Sequence, residues 1–438
     1  ISNSQWNIKE DFKEQEQLTS SELSELILNF PNKLTLCPKE KHARPTMLIY
    51  GGTLLKNGIL SALKAFIKTL SNYYEITLYA SAANLRDRAE NIQDISEFIS
   101  IIPRVGNFLM DVNDEFYLNN YKKFKTCISK TYQGIIQNIY ELEFRRSFGN
   151  AKFDLIVNYE GYNLDITLML AMANQSMPKI CILHNNMLEE QKIRFPYLKM
   201  VFENYQHYDK LISVSEPTEL INRENLISKF NLASSKFSYL NNFFDTNKID
   251  MLSTASLPQN IREKIESKIV FLNAARLSVE KNQLNLIDAF AEVCKVINNA
   301  ILIIIGDGYL KLQLCNRIQK HNLEDKILLL GHQDNPYPWM KRCDCFILPS
   351  LHEGQPVVLQ EAMYLGKPII ASSIQTNINM LDQSPAIFVN ETSKSIAEGI
   401  LTFIDKFHNQ KPYKFDYVAY NQKSLNKFLC DIGYQNFS

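Results

Sequence analysis

Two apolar rhythms alternate along this chain. Segments such as Thr46-Met-Leu-Ile-Tyr50, Ala300-Ile-Leu-Ile-Ile-Ile305 and Cys345-Phe-Ile-Leu348 are short and almost wholly apolar. That is how strands buried on both faces read. Between them lie longer stretches with helical spacing of apolar positions. In the first half the pattern predicts strands over 45–50, 75–80, 153–158, 179–183, 210–214 and 236–240, with helices over 59–70 and 164–174. Residues 83–150 read as helical, with an amphipathic region over 117–140. The second half is more regular. Strands are predicted over 269–274, 300–305, 326–330, 345–349, 367–371 and 386–389, with helices over 283–297, 309–320, 336–341, 356–365 and 393–407. Strands alternating with helices argue for parallel sheets covered on both faces, an α/β architecture of two Rossmann-like domains.

The predicted organisation is a linker or leader helix over 1–40, an amino-terminal domain over 41–245 and a carboxyl-terminal domain over 246–410. A closing helix over 411–438 would pack back toward the first domain. A length of 438 residues already requires more than one core. The chain starts at Ile1 rather than Met, which suits a processed, trimmed or excised piece of a longer polypeptide.

Composition narrows the classes. Apolar residues make up 45% and charged residues 21% of the chain, and 47 Lys and Arg balance 47 Asp and Glu. No net field recruits nucleic acid or an anionic membrane. The eight cysteines have no disulfide-framework spacing, which fits a reducing cytoplasm. The close pair Cys343-Asp-Cys345 reads as a strand segment. No apolar run nears the ~20 residues that span a bilayer, so a cytoplasmic location is expected, with room for a site at the inner membrane face.

The candidate chemistry sits where strands end. Gly51-Gly52, then Asn57-Gly58, follow the first strand: either a tight connection or a backbone that a substrate approaches closely. His184 ends its strand, where ligand contacts in open α/β sheets concentrate. Ser215 follows another and reads first as a helix N-cap. Arg276 and Lys281 follow the first strand of the second half, and a fork plus a point charge suit a diphosphate. Gly306-Asp-Gly308 and Gly331-His332 follow the next two strands, the second placed to read a nucleobase. Glu353 and Glu361 bracket the start and the middle of a helix whose free N–H groups suit phosphate. The cluster Lys122, Lys123, Lys125 and Lys130 reads as a solvated helix face, or as a surface for an anionic acceptor or lipid headgroups.

Four motifs, Arg276-Leu-Ser-Val-Glu-Lys281, Ile305-Gly-Asp-Gly308, Leu330-Gly-His332 and Pro349-Ser-Leu-His-Glu-Gly-Gln-Pro-Val-Val-Leu-Gln-Glu-Ala362, give the chain a specific likeness. It resembles a retaining glycosyltransferase of the GT-B fold, glycosyltransferase family 4 (group 1), in which two Rossmann-like domains with parallel sheets face each other across a cleft. The likeness covers 268–372 well. The amino-terminal half matches more loosely, through Gly51-Gly52, His184 and Ser215-Glu216. The resemblance implies that Glu353 holds hydroxyls of a donor sugar, Glu361 binds the ribose, and Arg276 and Lys281 neutralise the leaving diphosphate. Backbone N–H groups of Gln355, Val357 and Val358 would assist, with Gly306, His332 and Gly354 around the donor. Gly51, Gly52, Asn57 and Ser215 would lie on the acceptor side, and His184 would face the transferred sugar. No cofactor and no metal is implied, and the partners are a nucleotide-sugar donor and a glycan acceptor.

A narrower likeness rests on Leu48-Ile-Tyr-Gly-Gly-Thr-Leu-Leu-Lys-Asn-Gly58 and Glu353-Gly-Gln-Pro356. These are similar to bacterial teichoic acid and capsule glycosyltransferases, which glycosylate polyol-phosphate chains and are in some cases fused to a polymerase domain. Peripheral membrane association would suit such an acceptor. The competing readings are a sugar-nucleotide-binding scaffold subunit and a GT-B nucleotide-sugar epimerase.

Overall fold

The computed structural model describes residues 44–434 apart from 107, 109, 125–128, 174–175, 383 and 407–413. The expected leader helix over 1–40 and Lys125 lie outside the described residues.

Two parallel sheets form the framework. The first contains β1 (Thr46–Tyr50), β2 (Glu75–Ser81), β3 (Ile99–Arg104), β4 (Leu155–Asn158), β5 (Lys179–Leu183), β6 (Lys210–Ser213) and β7 (Phe237–Tyr239), in the order β3-β2-β1-β4-β5-β6-β7. The second contains β8 (Ile269–Ala274), β9 (Ala300–Ile305), β10 (Ile327–Gly331), β11 (Cys345–Leu348), β12 (Ile369–Ser372) and β13 (Ala386–Val389), in the order β10-β9-β8-β11-β12-β13. Every strand pairing is parallel among the described residues.

The apolar runs explain the layering. Along β9 every residue is buried: Leu302 and Ile304 join one core cluster, while Ile301, Ile303 and Ile305 join another. Alternate side chains thus feed the helical layers on opposite faces of one sheet. The first sheet is covered in the same way, with Met47 and Ile49 on one face and Leu48 and Tyr50 on the other.

Several sequence expectations need correction. Residues 83–150 are not wholly helical, because β3 pairs with β2 along its full length. Its residues are partly or fully exposed, and Pro103 sits in it. A half-exposed edge strand carrying proline lacks the apolar run that marked the others. The expected amphipathic region over 117–140 is two helices, Val112–Phe124 and Lys130–Phe148. The polar stretch after residue 245 holds helices Thr246–Ser253 and Gln259–Ile265, whose Ile249, Ile261 and Ile265 enter the second domain's core. Helix Tyr417–Asp431 starts against that core through Tyr417 and ends in the first domain's core through Leu425 and Phe428.

Carboxyl ends of the two sheets face each other. Lys56, after β1, pairs with Asp334, after β10, at 3.0 Å. Ser215, after β6, donates to the carbonyl of Gly354, after β11, at 2.8 Å. The backbone of Gly354 also lies directly against that of His184, after β5.

Candidate functional site

In an open α/β sheet the strand order reverses at one place, and the crevice outside those strand ends is where ligands sit. In the second sheet that place lies between β8 and β11. The loop after β8 carries Arg276 and Lys281; the loop after β11 carries Glu353. Leu351 N donates to the Glu280 carbonyl at 2.8 Å, stitching the two loops together. Lys281 Nζ then meets Glu353 Oε1 at 2.5 Å, with both side chains largely buried. Arg276 is about half exposed and lies 3.9 Å from Glu280, so its guanidinium is open to an anion.

The helix Val357–Tyr364 begins beside this pair. Pro356 stands at its N-cap with no side chain capping it, so its first N–H groups remain available. Val357 packs on the first domain's core and Val358 on the second's, which sets the helix start at the domain junction. Farther along, Glu361 Oε1 accepts from Tyr337 OH at 3.0 Å. Burial pushes the Glu361 carboxyl up to about 7. Tyr337 was not singled out in the sequence; it fixes the orientation of Glu361. Replacing Tyr337 by phenylalanine removes one hydrogen bond to a carboxylate, worth about 1.5 kcal/mol or more. Thermal unfolding should then read a lower melting temperature for the variant.

The other expected donor contacts divide. Gly306 lies against the Ala275 carbonyl, and its N–H donates to the Gly331 carbonyl at 2.8 Å, which brings the two loops beside the β8 loop. His332 is more than half exposed, 3.7 Å from Asp334. The Gln355 side chain is already engaged: its Oε1 accepts from Asn242 N at 2.6 Å and its Nε2 donates to Tyr420 OH at 2.9 Å. Gln355 therefore works as a domain-junction clamp through its side chain, with only its main chain toward the helix start.

On the facing wall, Asn57 caps helix Gly58–Leu70, its side chain accepting from Leu60 N. Ser215 caps helix Glu216–Phe230 and, with Thr218 Oγ1 at 3.1 Å, holds the Gly354 carbonyl. Both hydroxyls are thus committed to structure and to closing the cleft. Gly51 packs against Leu63 and Leu78, and Gly52 has a left-handed φ of 74°.

His184 Nε2 lies 2.5 Å from the Tyr159 carbonyl. A carbonyl only accepts, so the proton sits on Nε2 and Nδ1 carries the lone pair. Burial pulls this imidazole down to about 4. It is therefore neutral near pH 7 rather than cationic. The folded state holds it neutral while the unfolded chain protonates nearer its ordinary value, so its contribution to stability is lost as pH falls from about 6.5 toward 4. Nitrogen-15 NMR of the imidazole should show the neutral Nε2–H tautomer persisting well below pH 6.5 and titrating only near pH 4, whereas a titration near 6.5 would contradict the buried hydrogen bond.

Cys343 and Cys345 are buried free thiols. Of the basic cluster, Lys122 pairs with Asp165 at 2.8 Å. Among the described residues no group of three or more His, Cys, Asp or Glu is placed to hold a metal ion.

Known proteins resemble this chain in sequence over part of its length and in fold over most of it. Residues 258–421 match the family model "Glycosyl transferases group 1". That match takes in strands β8 to β13 and the loops that carry Arg276, Lys281 and Glu353. An uncharacterized glycosyltransferase of Methanocaldococcus jannaschii is 33% identical over 44% of this chain and 47% of its own length. The Campylobacter jejuni N-acetylgalactosamine-N,N'-diacetylbacillosaminyl-diphospho-undecaprenol 4-alpha-N-acetylgalactosaminyltransferase is 30% identical over 45% of this chain and 52% of its own length. This chain thus spans about half the length of the curated relatives it matches. Anabaena HepE, solved with UDP-glucose, superposes over 88% of this chain and all of its own, with a TM-score of 0.62 at 18% identity. Staphylococcus aureus TarM, solved with UDP and alpha-GlcNAc-glycerol, covers 89% of this chain and 99% of its own, with a TM-score of 0.62 at 12% identity. At such identities the likeness is one of fold, and the fold is GT-B.

Proposed function

We propose that this chain transfers a hexose from a UDP-sugar to a hydroxyl of a bacterial cell-surface glycopolymer or its precursor, with retention at the anomeric carbon. The observation that carries this reading is the Lys281–Glu353 pair, held at 2.5 Å between the β8 and β11 loops beside an uncapped helix start. Glu353 accepts hydrogen bonds from donor-sugar hydroxyls. Arg276, Lys281 and the first N–H groups of helix Val357–Tyr364 take the charge that develops on the leaving diphosphate. Glu361, aligned by Tyr337, accepts from the ribose. The bond from the anomeric carbon to the phosphate oxygen breaks, and the bond to the acceptor oxygen forms on the same face. The acceptor proton passes to the departing phosphate oxygen. Because side-chain and helix-terminus charge supply the electrostatic stabilisation, the step needs no metal or cofactor.

The acceptor class draws support from the relatives. One is named for transfer to a diphospho-undecaprenol-linked glycan and another for α-1,3-galactosyl transfer to a diphosphoundecaprenol-linked sugar. TarM was solved with a glycerol glycoside. A polyol-phosphate or capsule chain, or a lipid-linked precursor, fits these. Such acceptors would bring the enzyme to the inner face of the membrane; among the described residues no helix is long and apolar enough to cross it.

The test is a donor screen of UDP-glucose, UDP-galactose, UDP-N-acetylglucosamine and UDP-N-acetylgalactosamine, reading nucleoside diphosphate release with and without acceptor, in the presence of EDTA. Turnover of one donor in EDTA is expected, with the anomeric configuration of the product read by NMR. UDP binding without turnover of any donor would leave a sugar-nucleotide-binding scaffold instead.

A further inference from the structure

The first sheet also reverses its strand order at one place, between β1 and β4. Gly52 follows β1 there, and Glu160 follows β4. The two touch: a β-carbon at Gly52 would lie 2.7 Å from Glu160 Cγ and 3.0 Å from Cδ. The missing side chain at Gly52 is therefore what gives the Glu160 side chain its place in this crevice.

Glu160 has unusual surroundings for a carboxylate. Its Oε2 accepts from Asn163 N at 3.2 Å, and among the described residues Oε1 has no hydrogen bond and the carboxyl no ion pair. The titratable groups that feel its charge are the phenols of Tyr50, Tyr162 and Tyr197 and the thiol of Cys181, none of them cationic. Burial pushes the carboxyl up to about 7. A half-buried carboxyl without a cation is costly to keep, and such groups cluster at functional sites.

A chain of contacts sets Glu160 on the wall opposite the donor residues. Glu353 precedes Gly354, whose backbone abuts His184; the His184 ring donates to the carbonyl of Tyr159, and Glu160 is the next residue. We propose that Glu160, in the β1–β4 crevice, binds the acceptor, and that the acceptor end it holds is a neutral sugar bearing free hydroxyls. A carboxylate accepts hydrogen bonds from hydroxyls and repels phosphate, so the phosphate of any phosphate-bearing acceptor lies away from this crevice. This inference rests on the glycosyl-transfer reading above.

The probes are UDP for the donor side and octyl glucoside, galactoside, N-acetylglucosaminide and N-acetylgalactosaminide for the acceptor side. With the donor found by the screen, at least one glycoside is expected to be glycosylated. Glu160→Gln should raise its KM about tenfold or more while the UDP dissociation constant, read by calorimetry, stays within about twofold. Glu160→Asp should recover part of the loss. Glycosylation of none of the four by a chain that turns over its donor overturns the inference, as does an unchanged acceptor KM in Glu160→Gln. Parallel loss of UDP binding would make Glu160 a merely structural residue. If the unaltered chain neither binds UDP nor releases it from any donor, the glycosyl-transfer reading itself fails, a result distinct from these.

Discussion

Replacing Lys281 by alanine should lower nucleoside diphosphate release by about 10²–10³-fold, the range seen when one preorganised stabiliser of developing charge is removed. Two effects add up at this position. The ammonium lies 2.5 Å from Glu353, so it orients that carboxylate, and in the proposed transfer it would offer its remaining protons to the leaving diphosphate. Without it, Glu353 becomes a largely buried carboxylate with no cation, the more damaging way to break such a pair. The two residues should therefore behave as a unit. Lys281→Ala combined with Glu353→Gln should be little worse than either alone, and the double variant should regain melting temperature lost by Lys281→Ala. Initial rates over a range of donor concentrations separate the causes. A fall in kcat is expected, because charge develops only in the transition state; a rise in KM alone would mean that Lys281 merely holds the donor.

Gly354→Ala should abolish detectable transfer while leaving both domains folded. Gly354 is not in the left-handed region, so alanine costs nothing in its own backbone. The obstacle lies across the cleft: the new β-carbon would come 1.9 Å from the His184 carbonyl oxygen. Neither backbone can yield easily, since His184 follows a central strand and Gly354 is held by Ser215 and Thr218 hydroxyls. The domains must separate, forfeiting those two hydrogen bonds, about 1 kcal/mol each, and the Gln355 clamp. Small-angle scattering should show a larger radius of gyration, and calorimetry should show UDP affinity retained within a few-fold. An unaltered radius of gyration with full activity would refute the proposed contact.

How far the site could be read depended on what each residue does. Arg276, Lys281 and Glu353 stood out because charged residues just after apolar strands have few structural reasons to be there, and the structure brings Lys281 and Glu353 together. Ser215, Asn57 and Gln355 carried similar signals but serve as caps and a clamp, since a polar side chain in a loop suits backbone capping as well as ligand contact. Tyr337 was hidden in a short helix that reads as core. Glu160 lay in Asn158-Tyr-Glu-Gly161, a carboxylate between a strand and a glycine, which is the one signal that would have found it.

By itself the sequence determined the α/β class and twelve of the thirteen strands among the described residues, and it placed the charged motifs at strand ends. Those depend on local apolar periodicity and on residues close together along the chain. Strand β3 escaped because an edge strand needs no apolar run. Only the tertiary structure decided the strand orders, and with them the two crevices where order reverses. It brought Lys281 and Glu353 into contact across 72 positions, and set Gly354 against His184 and Glu160 against Gly52. Such pairings are products of packing between distant segments, and no period in the sequence records them.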